Sequence, residues 1–91
     1  MKGPEAKIED AACKWAVGQG WLAMKFTSPA RRSVPDRIFI RDGQVVFVEF
    51  KTPKGVLTSG QEREIARLRG KGATVYVCRS VIETRNALEK K

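Results

Sequence analysis

The sequence predicts an α/β fold in which a mixed four-stranded sheet is flanked by helices, with the element order α-β-β-β-α-β-α. Two observations carry this fold class. The dipeptide Asp42-Gly43 separates two apolar runs, which is the strongest short-range signal for a hairpin with a two-residue turn. A helical pattern that begins near Ser59 leads to another apolar run, so the last strand can lie parallel to the third. The 91 residues are expected to form a single domain, residues 1–91.

The first helix is predicted over residues 4–17. Its apolar side chains recur at the spacing of one buried helix face: Ile8, Ala12, Trp15 and Ala16. Gly18 and Gly20 are expected to end it. The aromatic and apolar residues 21–26 predict a strand, and residues 27–34 show no periodicity and are expected to form a loop.

The hairpin supplies the second and third strands. The third, residues 45–50, is apolar on both faces as far as Glu49, which predicts a central strand covered on both sides. A carboxylate buried there without a partner would cost several kcal/mol. Glu49 is therefore expected to interact with another polar group.

The segment Ser-Gly-Gln-Glu at residues 59–62 matches a capping box and predicts a helix that ends near residue 69. On this helix Gln61 points inward, while Arg63 and Arg67 lie on another face. Next come a short strand over residues 73–78 and a last helix of about ten residues capped by Ser80 with Glu83, another match to the capping-box pattern.

Composition restricts the class of protein. Lys and Arg number 18 against 10 Asp and Glu, and the formal charge of +8 suits an anionic partner, nucleic acid first, although charge alone suits a protein that is simply basic equally well. The placement of basic residues around the hairpin and the segment after it favours the anionic partner. The chain has no histidine, which excludes histidine catalysis and argues against a zinc site, and Cys13 and Cys78 are expected to be core residues. No apolar run approaches the roughly 20 residues of a membrane span, and no apolar leader is visible, so a cytoplasmic protein without a membrane partner is expected.

Two acidic residues flank the hairpin turn at equal distances. If Asp42 and Gly43 form the turn, counting outward places Asp36 opposite Glu49, where like charges would repel across roughly 4.5 to 5.5 Å between Cβ atoms. Strand side chains alternate between faces, so Lys51 joins Glu49 on one face. Two carboxylates and an ammonium on one sheet face are the parts of a metal-dependent site that cleaves phosphodiesters.

Magnesium chemistry matches this set of residues. Mg²⁺ binds through one or two carboxylates, waters and phosphate oxygens, which Asp36 and Glu49 can supply, with the Phe50 carbonyl as an extra oxygen. Glu9 can reach the same site from the first helix, and Glu5, one turn earlier, is the reserve.

Lys51 has two candidate roles in such a site. It can stabilise developing negative charge, or act as a general base if its pKa is depressed; the first role asks less of the lysine. Each element alone also has a simpler interpretation, because Glu-x-Lys is common at solvated strand edges and Pro-Asp at turns. Gln61 can be an ordinary polar residue at a helix start, although phosphate is also favoured there.

Four segments together form a specific combination: Val34-Pro35-Asp36, Phe47-Val48-Glu49-Phe50-Lys51, Gln61, and Gly72-Ala73-Thr74-Val75-Tyr76-Val77. Over nearly the whole chain this combination resembles the VRR-NUC domain of the PD-(D/E)xK nuclease superfamily. The resemblance implies a restriction-endonuclease-like core, dependence on Mg²⁺ or Mn²⁺, and Asp36, Glu49 and Lys51 as catalytic residues, with Gln61 beside them. It also implies an acid on the first helix, which Glu9 matches best. Ser33 stands where the family usually has Gly, a departure that leaves these residues unaffected.

Stand-alone domains of this size resemble phage and bacterial members that act as homodimers on branched DNA such as Holliday junctions. The resemblance therefore implies a DNA partner in the cytoplasm of a bacterium or phage-infected host. Five basic residues are predicted to hold DNA phosphates without reading bases: Arg31, Arg32, Lys54, Arg63 and Arg67. The leading hypothesis is a Mg²⁺-dependent, structure-selective DNA endonuclease. A non-catalytic basic nucleic-acid-binding module and an accessory protein-interaction domain are the alternatives.

Overall fold

A computed structural model describes residues 3–90 and shows the predicted order of elements. The elements are α1 (Pro4–Gly18), β1 (Leu22–Lys25), β2 (Arg37–Arg41), β3 (Gln44–Phe50), α2 (Ser59–Gly70), β4 (Thr74–Cys78) and α3 (Val81–Leu88). The four strands form one mixed sheet in the order β1-β2-β3-β4. β1, β2 and β3 pair antiparallel, and α2 carries the chain across so that β4 lies parallel to β3.

The hairpin and its register are confirmed. Arg41 pairs with Gln44, and the turn residues Asp42 and Gly43 have φ angles of 50° and 80°. Two consecutive positive φ values define the type I′ turn, whose twist matches that of the strands it joins. β3 lies in the interior of the sheet, as predicted, but the prediction that it is covered on both sides is wrong, because α2 packs over β4 and leaves Val45 of β3 45% exposed.

The sheet has one face covered by α1 and α3. The apolar core on this face consists of Ala12, Ala16, Trp21, Phe39, Val46, Val48, Phe50, Cys78 and Leu88. Alternation along the strands explains why Phe39 and Val46, which are paired in register, both point into it. Cys78 belongs to this core and Cys13 packs against it, as predicted for both cysteines.

The opposite face is covered only in part. α2 packs over β4, where Ile65 and Val75 are both buried. Further along the sheet lies an apolar surface, which we call the open sheet face: Leu22, Met24, Ile38, Ile40, Val45 and Phe47. Leu22 and Val45 flank Ile40 in one cross-strand row and are 56% and 45% exposed.

Two predicted helix details differ in the structure. α2 is capped by Thr58 rather than by Ser59: the Thr58 hydroxyl accepts from the Gln61 amide, and the Gln61 side-chain oxygen accepts from the Thr58 amide. The sequence satisfies the capping pattern in both frames, and the chosen frame makes Gln61 part of the cap. α3 is capped by Ser80 as predicted but is eight residues long rather than about ten. No helix within residues 3–90 is long and apolar enough to cross a bilayer.

Candidate active site

Asp36 lies at the start of β2, immediately after the buried Pro35. Because Arg37 pairs with Val48, the register continued by one residue sets Asp36 against Glu49. The backbone carbonyl of Asp36 accepts from the amide of Phe26, and its Oδ2 accepts from the amide of Phe50 at 2.7 Å. Both the main chain and the side chain of Asp36 are thus held before any ligand binds.

Glu49 is a buried acid, with only 2% of its surface exposed. Burial, followed by the negative charge of Asp36, raises the pKa of the Glu49 carboxyl to about 8. The pKa of Asp36 is also raised, first by burial, although the hydrogen bond from Phe50 opposes this. At neutral pH the two carboxyls therefore retain a proton that an isolated pair in water would lose.

Lys51 follows β3 directly, and its amide donates to the carbonyl of Cys78. Its positive charge lowers the pKa of both Asp36 and Glu49. The placement of the ammonium on the face of Glu49 stays a prediction. The turn after Lys51 is fixed by Arg79, whose Nη1 donates to the carbonyls of Thr52 and Gly55. The main chain is thus fixed at the amide of Lys51 and at the carbonyl of the next residue, Thr52.

The first helix contributes Glu5 to this site, and Glu9 lies elsewhere. One carboxylate oxygen from each of Glu5, Asp36 and Glu49 lies within 4.8 Å of the others. Glu9, the acid predicted for this position, accepts instead from Arg37 at 2.6 Å and from Lys25 at 3.3 Å. The reason is geometric, since Arg37 follows Asp36 and therefore points to the opposite face, underneath α1.

Gln61 is brought to the site by the capped start of α2. Its side-chain nitrogen donates to Oε2 of Glu49 at 3.1 Å, while its side-chain oxygen remains in the capping box with Thr58. The prediction that Gln61 points inward is correct. Its two contacts connect the cap of α2 to the buried carboxylate.

The three carboxylates are suited to a hard divalent cation. Oxygen donors at short mutual distances are what Mg²⁺ and Mn²⁺ bind, and a cation would offset the burial and the repulsion by Asp36 that raise the pKa of Glu49. Phe50 enters the observed contacts through its amide, which donates to Asp36. The predicted role of its carbonyl as a metal ligand stays a prediction.

The basic residues predicted to hold DNA separate into two groups. Arg31, from the loop before Asp36, and Arg67, from α2, both contact Glu64. Arg32, Lys54 and Arg63 are exposed. Glu64, which is 6% exposed, was not singled out in the sequence. The signal available for it was weak: an acid three residues before Arg67 on the same helix, with its loop partner visible only in the fold.

Three comparisons relate the chain to known proteins. The VRR-NUC domain family matches residues 22–82 of the chain, about two thirds of its length, a segment that includes Asp36, Glu49, Lys51 and Gln61 but not α1. A protein of Acyrthosiphon pisum secondary endosymbiont phage 1, named "Putative nuclease p44", is 47% identical over 74 residues, covering 76% of this chain and 80% of that protein. A solved structure titled "VRR_NUC domain" superposes with a TM-score of 0.87 at 27% identity and covers 97% of each chain.

Proposed function

The chain belongs to the VRR-NUC domain family of nucleases, and from that premise we propose that it is a Mg²⁺-dependent endonuclease that hydrolyses phosphodiester bonds in branched DNA, Holliday junctions included. The observation that carries the proposal is the group of three carboxylates, Glu5, Asp36 and Glu49, within 4.8 Å of one another. The positive charge of Lys51 acts on two of them and lowers the pKa of Asp36 and Glu49. Glu5, the reserve candidate on the first helix, belongs to this group instead of Glu9.

Glu5, Asp36 and Glu49 would hold the metal, either Mg²⁺ or Mn²⁺. When bound, such an ion supplies positive charge at the phosphate and a water of lowered pKa. The chain's part is to present the oxygens in a fixed arrangement, which the Phe50 amide does for Asp36 and the Gln61 side chain does for Glu49. Partners of this kind that orient metal ligands typically affect metal affinity by roughly 10- to 100-fold.

Lys51 acts on the substrate in this proposal. Its ammonium, a compact charge with three donors, stabilises the negative charge that develops on the phosphate oxygens during hydrolysis. Because Lys51 follows a central strand and its main chain is fixed by the carbonyl of Cys78, the ammonium needs little reorganisation to reach that position. The net charge of +8 favours binding of the DNA backbone.

A homodimer is the second part of the proposal. The open sheet face leaves Leu22, Met24 and Val45 each about half exposed, in an arrangement of neighbouring strands rather than as scattered residues. Contiguous apolar surface of this kind marks interaction sites on soluble proteins. A second copy covering this face would give a two-fold dimer with two sites, which matches the symmetry of a four-way junction.

The test is a panel of linear, flap and four-way DNA substrates incubated with Mg²⁺, with Ca²⁺ or with a chelator. The proposal predicts cleavage of branched DNA with Mg²⁺, binding without cleavage with Ca²⁺, and no cleavage with chelator. DNA binding that is indifferent to metal, with no nicking after long incubation, would instead support a non-catalytic nucleic-acid-binding module. Failure to bind any DNA form at low salt would point to a protein-interaction domain.

A further inference from the structure

Glu64, a buried acid outside the group of Glu5, Asp36 and Glu49, contacts two half-exposed arginines. Oε1 of Glu64 lies 2.8 Å from Nε of Arg31 and 3.3 Å from Nη2 of Arg67. Oε2 also accepts from Nε and Nη2 of Arg31, each at 3.3 Å, which makes that contact bidentate. The guanidiniums hold the pKa of Glu64 below its usual range, Arg31 having the larger effect, so this acid is ionised at neutral pH.

The two arginines retain capacity for another ligand. Their side chains are 47% and 52% exposed, whereas that of Glu64 is 8% exposed. Glu64 engages Nε and Nη2 of Arg31 and only Nη2 of Arg67. A guanidinium has five N–H donors in a planar fork, so both arginines keep donors that Glu64 does not use. Two arginines on one acid also leave the cluster with a net positive charge.

The cluster lies close to the candidate active site along α2. Glu64 is three residues beyond Gln61, which corresponds to an axial rise of about 4.5 Å on a helix. Arg31 reaches it from the loop that leads into Asp36. That loop is packed against α2 at a second point, since a Cβ added to Gly60 would lie 2.9 Å from the Ser33 hydroxyl. The arginine pair and Gln61, which contacts the candidate active site, are therefore positioned by the same helix.

We propose that Arg31 and Arg67, oriented by Glu64, form a single binding site for a DNA backbone phosphate that flanks the phosphate being cleaved. Because Glu64 lies less than one helix turn from Gln61, a DNA strand that crosses the candidate active site brings a neighbouring phosphate to the arginine pair. Arginine pairs suit this ligand because their planar forks match phosphate oxygens. The inference rests on the proposed nuclease function and adds a defined subsite to it.

Glu64 is a positioning residue in this proposal, so its replacement is expected to weaken DNA binding even though it makes the protein more positively charged. The Glu64→Gln variant raises the net charge of the protein by one, and added positive charge by itself strengthens binding to DNA. If Glu64 orients the two guanidiniums, however, its neutral replacement loosens them and weakens binding. If Glu64 merely competes with DNA for the arginines, the same variant binds more tightly.

The experiment measures affinity for a four-way junction with Ca²⁺ in place of Mg²⁺, using junctions in which one phosphate at a time is replaced by a neutral methylphosphonate. We expect one replacement beside the mapped cleavage position to weaken junction binding by the wild-type protein about 10-fold, as loss of a charge-assisted contact does. The Arg31→Gln and Arg67→Gln variants should be insensitive to that same replacement. Lys14→Gln, an equal charge change at an exposed position on α1, should retain the sensitivity.

The outcome for Glu64→Gln decides the role of the acid. We expect it to bind the unmodified junction about 5- to 10-fold more weakly despite its added charge. Equal or tighter binding by Glu64→Gln overturns the proposal. The proposal is also overturned if every methylphosphonate replacement that weakens binding by the wild-type protein weakens binding by the arginine variants equally. If Glu64→Gln does not fold, the Arg31→Gln scan alone still decides. Because binding is read out without cleavage, wild-type protein that fails to cut with Mg²⁺ refutes the nuclease proposal separately.

Discussion

The side-chain amide of Gln61 lies 3.1 Å from Oε2 of Glu49, and the same side chain closes the capping box with Thr58. One glutamine therefore serves two purposes, because it satisfies the amide of Thr58 and also fixes the orientation of a buried acid. Glu49 is thus oriented by a neutral amide, while the charges of Asp36 and Lys51 also act on it.

Replacing Gln61 by Ala should weaken Mg²⁺ binding by roughly 10- to 100-fold, because a metal ligand loses the partner that orients it. The same change removes half of the capping box and should lower stability by about 1 kcal/mol. Thr58→Ala is the matched control, since it removes the cap and keeps the contact to Glu49. Calorimetric Mg²⁺ titrations of both variants separate the two effects; equal loss of affinity in Thr58→Ala would contradict the assigned role.

Glu5 and Glu9 should respond to substitution in opposite ways. Glu5→Gln is expected to reduce Mg²⁺ affinity and cleavage, with a stability change within about 1 kcal/mol, the scale of a charge in the first turn of a helix. Glu9→Gln weakens the ion pair with Arg37 and should cost about 1 to 3 kcal/mol of stability with metal affinity intact. Thermal unfolding and Mg²⁺ titration of each variant provide the check. If Glu9→Gln were the variant that lost metal affinity, the placement of Glu5 would be wrong.

The raised pKa of Glu49 predicts how stability depends on pH. Burial and the charge of Asp36 raise that pKa to about 8, whereas an unfolded chain has an ordinary glutamate. Between about pH 4.5 and pH 8 the folded state therefore binds a proton that the unfolded state lacks, so stability falls as pH rises through this window. In chelator the unfolding temperature should drop across this range, and Glu49→Gln should show a smaller drop.

Mg²⁺ binding should displace the shared proton, so its affinity should increase as pH rises toward about 8. Calorimetry in buffers of different ionisation enthalpy measures the proton released. A Mg²⁺ affinity that did not change with pH would show that Glu49 is already ionised in the metal-free protein.

The open sheet face predicts the oligomeric state. Leu22→Glu places a charge on this face, and because Leu22 is 56% exposed we expect the variant to fold as a monomer. We expect light scattering to show a dimer for the wild type and a monomer for this variant. Val56→Glu is the control, because Val56 is 80% exposed and lies outside this face. A wild-type protein that is monomeric at micromolar concentration would contradict the dimer.

Sequence reasoning succeeded where the determinants are local. The Asp42-Gly43 turn fixes the hairpin register, and counting outward from that turn sets Asp36 against Glu49. These results depend on turn chemistry and a period of two, both of which can be read from neighbouring residues.

Turn chemistry and strand alternation could not predict contacts between segments that are distant in the sequence. Glu5 and Glu9 lie one turn apart on α1, and the choice between them depends on Arg37 in β2, which attracts Glu9. An arginine that must lie underneath a helix does require an acid there, and this argument could have assigned Glu9 in advance. Glu64 depends on the path of the loop that carries Arg31, for which the sequence holds no periodic signal.

Lys51→Ala tests the central claim, that this face of the sheet is a catalytic site, most directly. The measurement compares junction affinity in Ca²⁺ with the single-turnover cleavage rate in Mg²⁺, using Lys14→Ala as an equal charge change at an exposed position on α1. The account predicts that Lys51→Ala binds the junction within about 3-fold of the wild type and cleaves it at least roughly 100-fold more slowly, because only transition-state stabilisation is lost. An unchanged cleavage rate in Lys51→Ala would contradict it.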